Sequence, residues 1–142
     1  MGFLGKLFGG GKDYLPLDPS TPDGKKFERY RETAAAFAEK LKSHLEVIPS
    51  ERALYCFIGN PPDQFGIAWF EGKEEHNLKT LMKAKGLSQA RVNALSDELR
   101  HAYERSKEEP RYQVQLGKKK VLVTPSPTLE RELVKIIHEA EH

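Results

Sequence analysis

ALYCFIGNPPDQFGIAWF, residues 53–70, holds two short apolar runs, ALYCFI (53–58) and GIAWF (66–70), separated by Gly59, Asn60, Pro61, Pro62, Asp63, Gln64 and Phe65. Runs this short, rich in aromatic residues and divided by Gly and Pro, read as two strands of a hairpin with a proline-stiffened loop. Neither run alternates apolar with polar. Both faces of each strand are therefore expected to be covered, as in the centre of a sheet.

Outward from that hairpin the periodicity changes. Phe27, Tyr30, Ala34, Phe37, Ala38, Leu41 and Leu45 recur at spacings of three and four, which predicts one amphipathic helix over residues 24–46. Leu78, Leu81 and Met82 mark a short helix ended by Gly86, and Ser88 caps a longer one that carries Val92, Leu95, Leu99, Ala102 and Tyr103 and closes before Pro110. YQVQL (112–116) alternates, Gly117-Lys118 supplies a tight turn, and KVLVT (120–124) returns as a second hairpin. Ser126 and Pro127 fit the N-cap and first position of a last helix, whose stripe is Leu129, Leu133, Ile136, Ile137 and Ala140. The order is helix, hairpin, helix, given twice. It predicts an α+β domain in which two hairpins join into a four-stranded antiparallel sheet packed by about four helices.

The chain has 142 residues, of which 38% are hydrophobic and 31% charged, enough for one domain with a core of its own. Its 23 Lys and Arg nearly balance 21 Asp and Glu, so the +2 net charge provides no strong field for nucleic acid. Cys56 is the single cysteine, which suits a reducing, cytoplasmic setting. No apolar stretch approaches the ~20 residues of a membrane span, and MGFLGKLFGGGK reads neither as a secretory signal nor, with Lys6, as a myristoylation motif. Residues 1–22 read instead as a flexible arm and linker, with Gly9, Gly10 and Gly11 followed by Pro16, Pro19 and Pro22, ahead of a single domain at 23–142.

Two features point to binding. Phe3, Leu4, Leu7 and Phe8 gather on one side of a nascent helix, with Lys6 and Lys12 as electrostatic helpers; the arm's glycines leave that helix unstable unless it docks on something. The loop at 59–66 presents Asp63 and Phe65 on a backbone held by two prolines, a form suited to recognition.

Three further motifs bear on chemistry. The final HEAEH (138–142) resembles the His-Glu-x-x-His helix of zinc metalloproteases, where two imidazoles one turn apart hold the metal and the Glu is the general base. With Leu133 at zero, Ile136, Ile137 and Ala140 fall within about 60° of it while His138 and His142 lie at about 140° and 180°. Both imidazoles should then face water, away from any sheltered cavity. Residues 78–95 resemble the first two helices of a Cro/repressor-type helix-turn-helix, yet the apolar period runs on through Leu99 and Tyr103, leaving no separate recognition helix. Lys118, Lys119 and Lys120 form a basic triplet at a hairpin tip, and Cys56, between Tyr55 and Phe57, is expected in the core and inert.

The expectation is a small non-enzymatic binding or adaptor module, without cofactor or metal, that uses Phe3, Leu4, Leu7 and Phe8, and also Asp63 and Phe65, to engage a protein partner or a membrane surface. It would be cytoplasmic or peripheral at the membrane. The alternatives are a metal-dependent hydrolase acting through His138, Glu139 and His142, and a nucleic-acid-binding protein using the lysine triplet.

Overall fold

A computed structural model describes residues 14–142. Its strands are β1 (Leu15–Pro16), β2 (Leu45–Pro49), β3 (Leu54–Asn60), β4 (Gln64–Glu71), β5 (Glu74–Asn77), β6 (Tyr112–Leu116) and β7 (Lys119–Val123). The helices are α1 (Pro22–Glu28), α2 (Arg31–Lys40), α3 (Leu78–Lys85), α4 (Gln89–Arg105) and α5 (Pro127–Glu141). The strands form one sheet in the order β1-β6-β7-β2-β3-β4-β5. β1 runs parallel to β6 and β2 parallel to β7, and every other neighbouring pair is antiparallel.

The central strands have apolar residues on both faces because each face has its own core. Tyr55 and Phe57 of β3 and Ile67 and Trp69 of β4 meet α4 and α5 through Leu95, Leu99, Leu129, Leu133 and Ile137. Their neighbours Leu54, Cys56, Ala68 and Phe70 point the other way, under Phe27 of α1 and Ala34, Phe37 and Ala38 of α2. The period of two along each strand thus divides one apolar run between two layers of helices.

Local signals start the helices where expected. The Ser88 and Ser126 hydroxyls accept from the backbone N–H of Arg91 and Leu129, each at 3.1 Å. Asn77 and Thr80 form a reciprocal capping box at α3. α4 is continuous over 17 residues, so no second turn and recognition helix follow Ser88.

The architecture departs from the predicted four-stranded antiparallel sheet with about four helices: the sheet is mixed and seven-stranded, and five helices pack on it. Two causes can be named. The 24–46 helix is in fact α1, a break at Arg29 and Tyr30, α2, and then β2. Leu41 and Leu45 are four apart, a spacing that keeps two residues on one side of a helix and equally on one face of a strand. The predicted hairpins β3–β4 and β6–β7 do form, but they do not join directly. β2 lies between them, antiparallel to β3 and parallel to β7, while β5 and β1 lengthen the two edges.

A buried polar network holds the junction between β2 and β7. Their ladder pairs only Glu46 with Leu122 and Val47 with Val123, extended by Thr124 N–H donating to Val47 O at 2.9 Å. Glu46 is 5% exposed, and its carboxylate accepts from Arg111 Nε at 2.8 Å, from Tyr103 Oη at 2.6 Å and from the Thr124 hydroxyl. Arg111 spends its other donors on Ser106 O and Ser106 Oγ, both at 2.8 Å, with its guanidinium 4.8 Å from the Tyr103 ring centroid. Burial, followed by the Glu46 charge, raises the Tyr103 phenol far above its ordinary pKa, so it stays a donor. Removing one partner would strand a buried charge, a loss of about 3–5 kcal/mol. Urea denaturation should show losses of that order for Glu46→Ala and for Arg111→Ala, and for the double variant a loss smaller than their sum.

Candidate functional site

The loop that carries Asp63 and Phe65 is shorter than its sequence suggests. β3 and β4 stay paired out to Asn60 and Gln64, leaving Pro61, Pro62 and Asp63 as the connection. Arg100 of α4 braces it, donating from Nε to Pro62 O at 2.7 Å and from Nη2 to Asp63 O at 3.4 Å. The same guanidinium lies 5.6 Å from the Phe65 ring centroid, and that ring also meets Phe57, with centroids 5.4 Å apart. Phe65 is half-buried against its own domain while Asp63 is exposed. Phe3, Leu4, Leu7 and Phe8 lie outside the described residues.

At the other end of the chain, Leu133, Ile136, Ile137 and Ala140 of α5 are buried, and His138, Glu139 and His142 are exposed. The two imidazole centroids are 4.4 Å apart on consecutive turns. They do not stand apart from every recess, as the helical phase suggested. His138 borders an open cleft of about 280 Å³ with Tyr55, Trp69, Glu71 and Glu141. His142 borders a second, of about 400 Å³, with His76, Trp69, Thr80 and Glu141. Trp69 and Glu141 are common to both.

The β4–β5 hairpin faces these clefts. Glu71 and Glu74 are cross-strand partners around the two-residue turn Gly72-Lys73, with Gly72 at φ +63, and the next pair on the same face is Trp69 with His76. The indole and imidazole stack with centroids 5.8 Å apart and planes 18° apart. His76 Nε2 lies 3.3 Å from Glu71 Oε1 and 3.0 Å from Glu74 Oε1. Neither approach has hydrogen-bond geometry, and Nε2 and Trp69 Nε1 are both buried without a partner. Among the described residues, Glu71, Glu74 and His76 are the group whose three metal-ligating atoms all lie within 4.8 Å of one another. Sequence reasoning passed over this hairpin, although EGKEEH (71–76) contains its signal. A Gly-Lys turn sets Glu71 opposite Glu74, and period two then places His76 on the same face.

The other candidate side chains take structural places. Lys119 is half-buried and donates to Leu41 O at 2.6 Å and Ser43 O at 2.7 Å, closing the end of α2, while Lys118 and Lys120 are exposed. No helix among the described residues is long and apolar enough to cross a membrane.

Cys56 is fully buried, and desolvation pushes its thiol well above the ordinary range. In the native chain it should not react with Ellman's reagent; one thiol should appear on unfolding in urea. Burial, then the charges of Glu71, Glu141 and Glu130, raises the Tyr55 phenol from 10.0 to about 12. Because the folded value lies above the unfolded one, this contribution to stability is complete below pH 10.0 and is lost as pH rises through about 12. Urea midpoints measured from pH 9 upward should fall less steeply for Tyr55→Phe than for the wild type. No protein-family model, curated protein or solved structure matches the chain.

Proposed function

We propose that the protein is a non-catalytic binding module that engages its partner through the apolar residues Phe3, Leu4, Leu7 and Phe8. One observation carries this reading: the described domain has already used its own apolar stripes. Both faces of the sheet are covered by its own helices, and among the described residues only Leu15 and Val134 are large hydrophobic residues left exposed, at 72% and 43%. Leu15 stands in β1, at one edge of the sheet. The core leaves no stripe that calls for four further large side chains. Buried in an acceptor at ~1.5–3 kcal/mol each, and offset by ordering costs, they supply a weak and reversible attachment.

The 59–66 loop is a separate contact in this reading. β1 runs parallel to β3 with Leu15 level with Cys56 at mid-strand, whereas Asp63 and Phe65 lie at the end of the sheet where β3 turns into β4. One partner surface takes the arm, and Asp63 adds a local contact of its own.

The test deletes residues 1–11 from the full chain. The expected result is a melting temperature within about 2 °C of wild type, the scale of a ΔΔG of a few tenths of a kcal/mol, together with loss of a co-purifying protein. Flotation of the full chain with anionic vesicles, abolished by the same deletion, would make the acceptor a bilayer. Retention of every interaction by the deleted chain would overturn the reading.

A further inference from the structure

We propose that the β4–β5 hairpin binds a divalent transition-metal ion of the zinc class through Glu71, Glu74 and His76. This site is independent of the arm. Three observations converge on it.

The first is ligand placement. Backbone register sets the two carboxylates opposite each other and His76 on the same face two pairs along, with Nε2 at 3.3 Å and 3.0 Å from one oxygen of each. A hairpin with a two-residue turn fixes the backbone positions of the three ligands through its ladder, and the exposed Glu71 and Glu74 side chains close on the ion by rotation.

The second is charge. Like charges directly across a ladder repel, and among the described residues no Lys or Arg pairs with either carboxylate. Lys73, in the turn itself, reaches towards Glu32 at 4.0 Å and borders a recess with Phe37 and Phe70 on the other face of the sheet. A cation between Glu71 and Glu74 turns that repulsion into coordination.

The third is the pair of orphaned nitrogens. His76 Nε2 has two oxygens within 3.3 Å and bonds to neither, and its stacking partner Trp69, 1% exposed and bordering both clefts, leaves Nε1 without an acceptor. Buried polar atoms without partners are uncommon in native proteins and mark places where a bound ion or water completes the set. An imidazole ligand satisfies Nε2 directly.

The donor set selects the metal. One imidazole and two carboxylates suit zinc and its neighbours, at ligand distances of about 2.0–2.2 Å. Calcium asks for about six to eight oxygens, and magnesium prefers oxygen donors and retained water. Three protein ligands leave a tetrahedral ion one position open towards the clefts that His138, Glu141 and His142 border.

Trp69 is the sole tryptophan and stacks on His76, so its fluorescence reports the site. Titrating the full chain with Co²⁺ should quench that fluorescence saturably, with Zn²⁺ competing and millimolar Mg²⁺ or Ca²⁺ not. The double variant Glu71→Gln/Glu74→Gln keeps side-chain volume at two exposed positions, so the fold should survive while Co²⁺ affinity drops by about tenfold or more. His76→Ala should abolish the quench, and His138→Ala/His142→Ala should leave it unchanged. Absence of saturable quenching would overturn the proposal, as would full affinity in the double glutamine variant. Loss of binding confined to the His138/His142 variant would move the site to the helix end and overturn it as well.

Discussion

The carboxylate of Glu46 is the constraint on which the sheet depends. It is buried where β2 meets β7, the junction at which one half of the sheet is held to the other by a ladder of two residue pairs. Hydrophobic burial alone gives such a short parallel ladder little to choose one register over another, because apolar contacts are not directional. Glu46 adds direction. Its two oxygens accept from Arg111 at the head of β6, Tyr103 on α4 and Thr124 beyond β7, so a slip at Arg111 would leave a buried charge unpaired and a slip at Tyr103 or Thr124 would remove one of its hydrogen bonds. The cost of desolvating the pair is offset by the completeness of the network, in which Ser106 takes two further guanidinium donors.

With that junction held, β3 and β4 become interior strands and the helices divide into two layers. Each layer covers one face, which is why so little apolar surface is left outside. The edges have a different character. β5 reads Glu-Glu-His-Asn and carries no large apolar residue, and charged side chains on a sheet edge discourage pairing with another chain. With Glu71 of β4, the same edge places two carboxylates and an imidazole beside the aromatic floor made by Tyr55 and Trp69. The most polar strand of the sheet thus meets an aromatic patch.

Much of this was legible in the residues. The caps at Ser88 and Ser126, the stripe of α5, the unbroken α4 and the hairpins β3–β4 and β6–β7 follow from local signals that the fold leaves alone. Cys56 lies in the core as its flanks implied. What escaped had specific causes. LEVIP (45–49) carries a glutamate at a core position and so resembles the polar side of a helix until Arg111, 65 residues later, is seen to neutralise it. Gly-Lys occurs at both two-residue turns, with Gly72 at φ +63 and Gly117 at φ +62, yet only the second follows a cleanly alternating strand, YQVQL (112–116). The first, flanked by glutamates, lacked the apolar contrast by which a strand is recognised.

The amino-acid sequence by itself determined the local conformations, the apolar faces and their need for cover on two sides, because spacing, capping and turn chemistry act within a few residues. Only the tertiary structure decided the strand order, the parallel seam and the placing of α5 beside the β4–β5 hairpin. Those depend on which distant side chains neutralise one another, and a charge in a core strand discloses its partner only when the chain has closed around both.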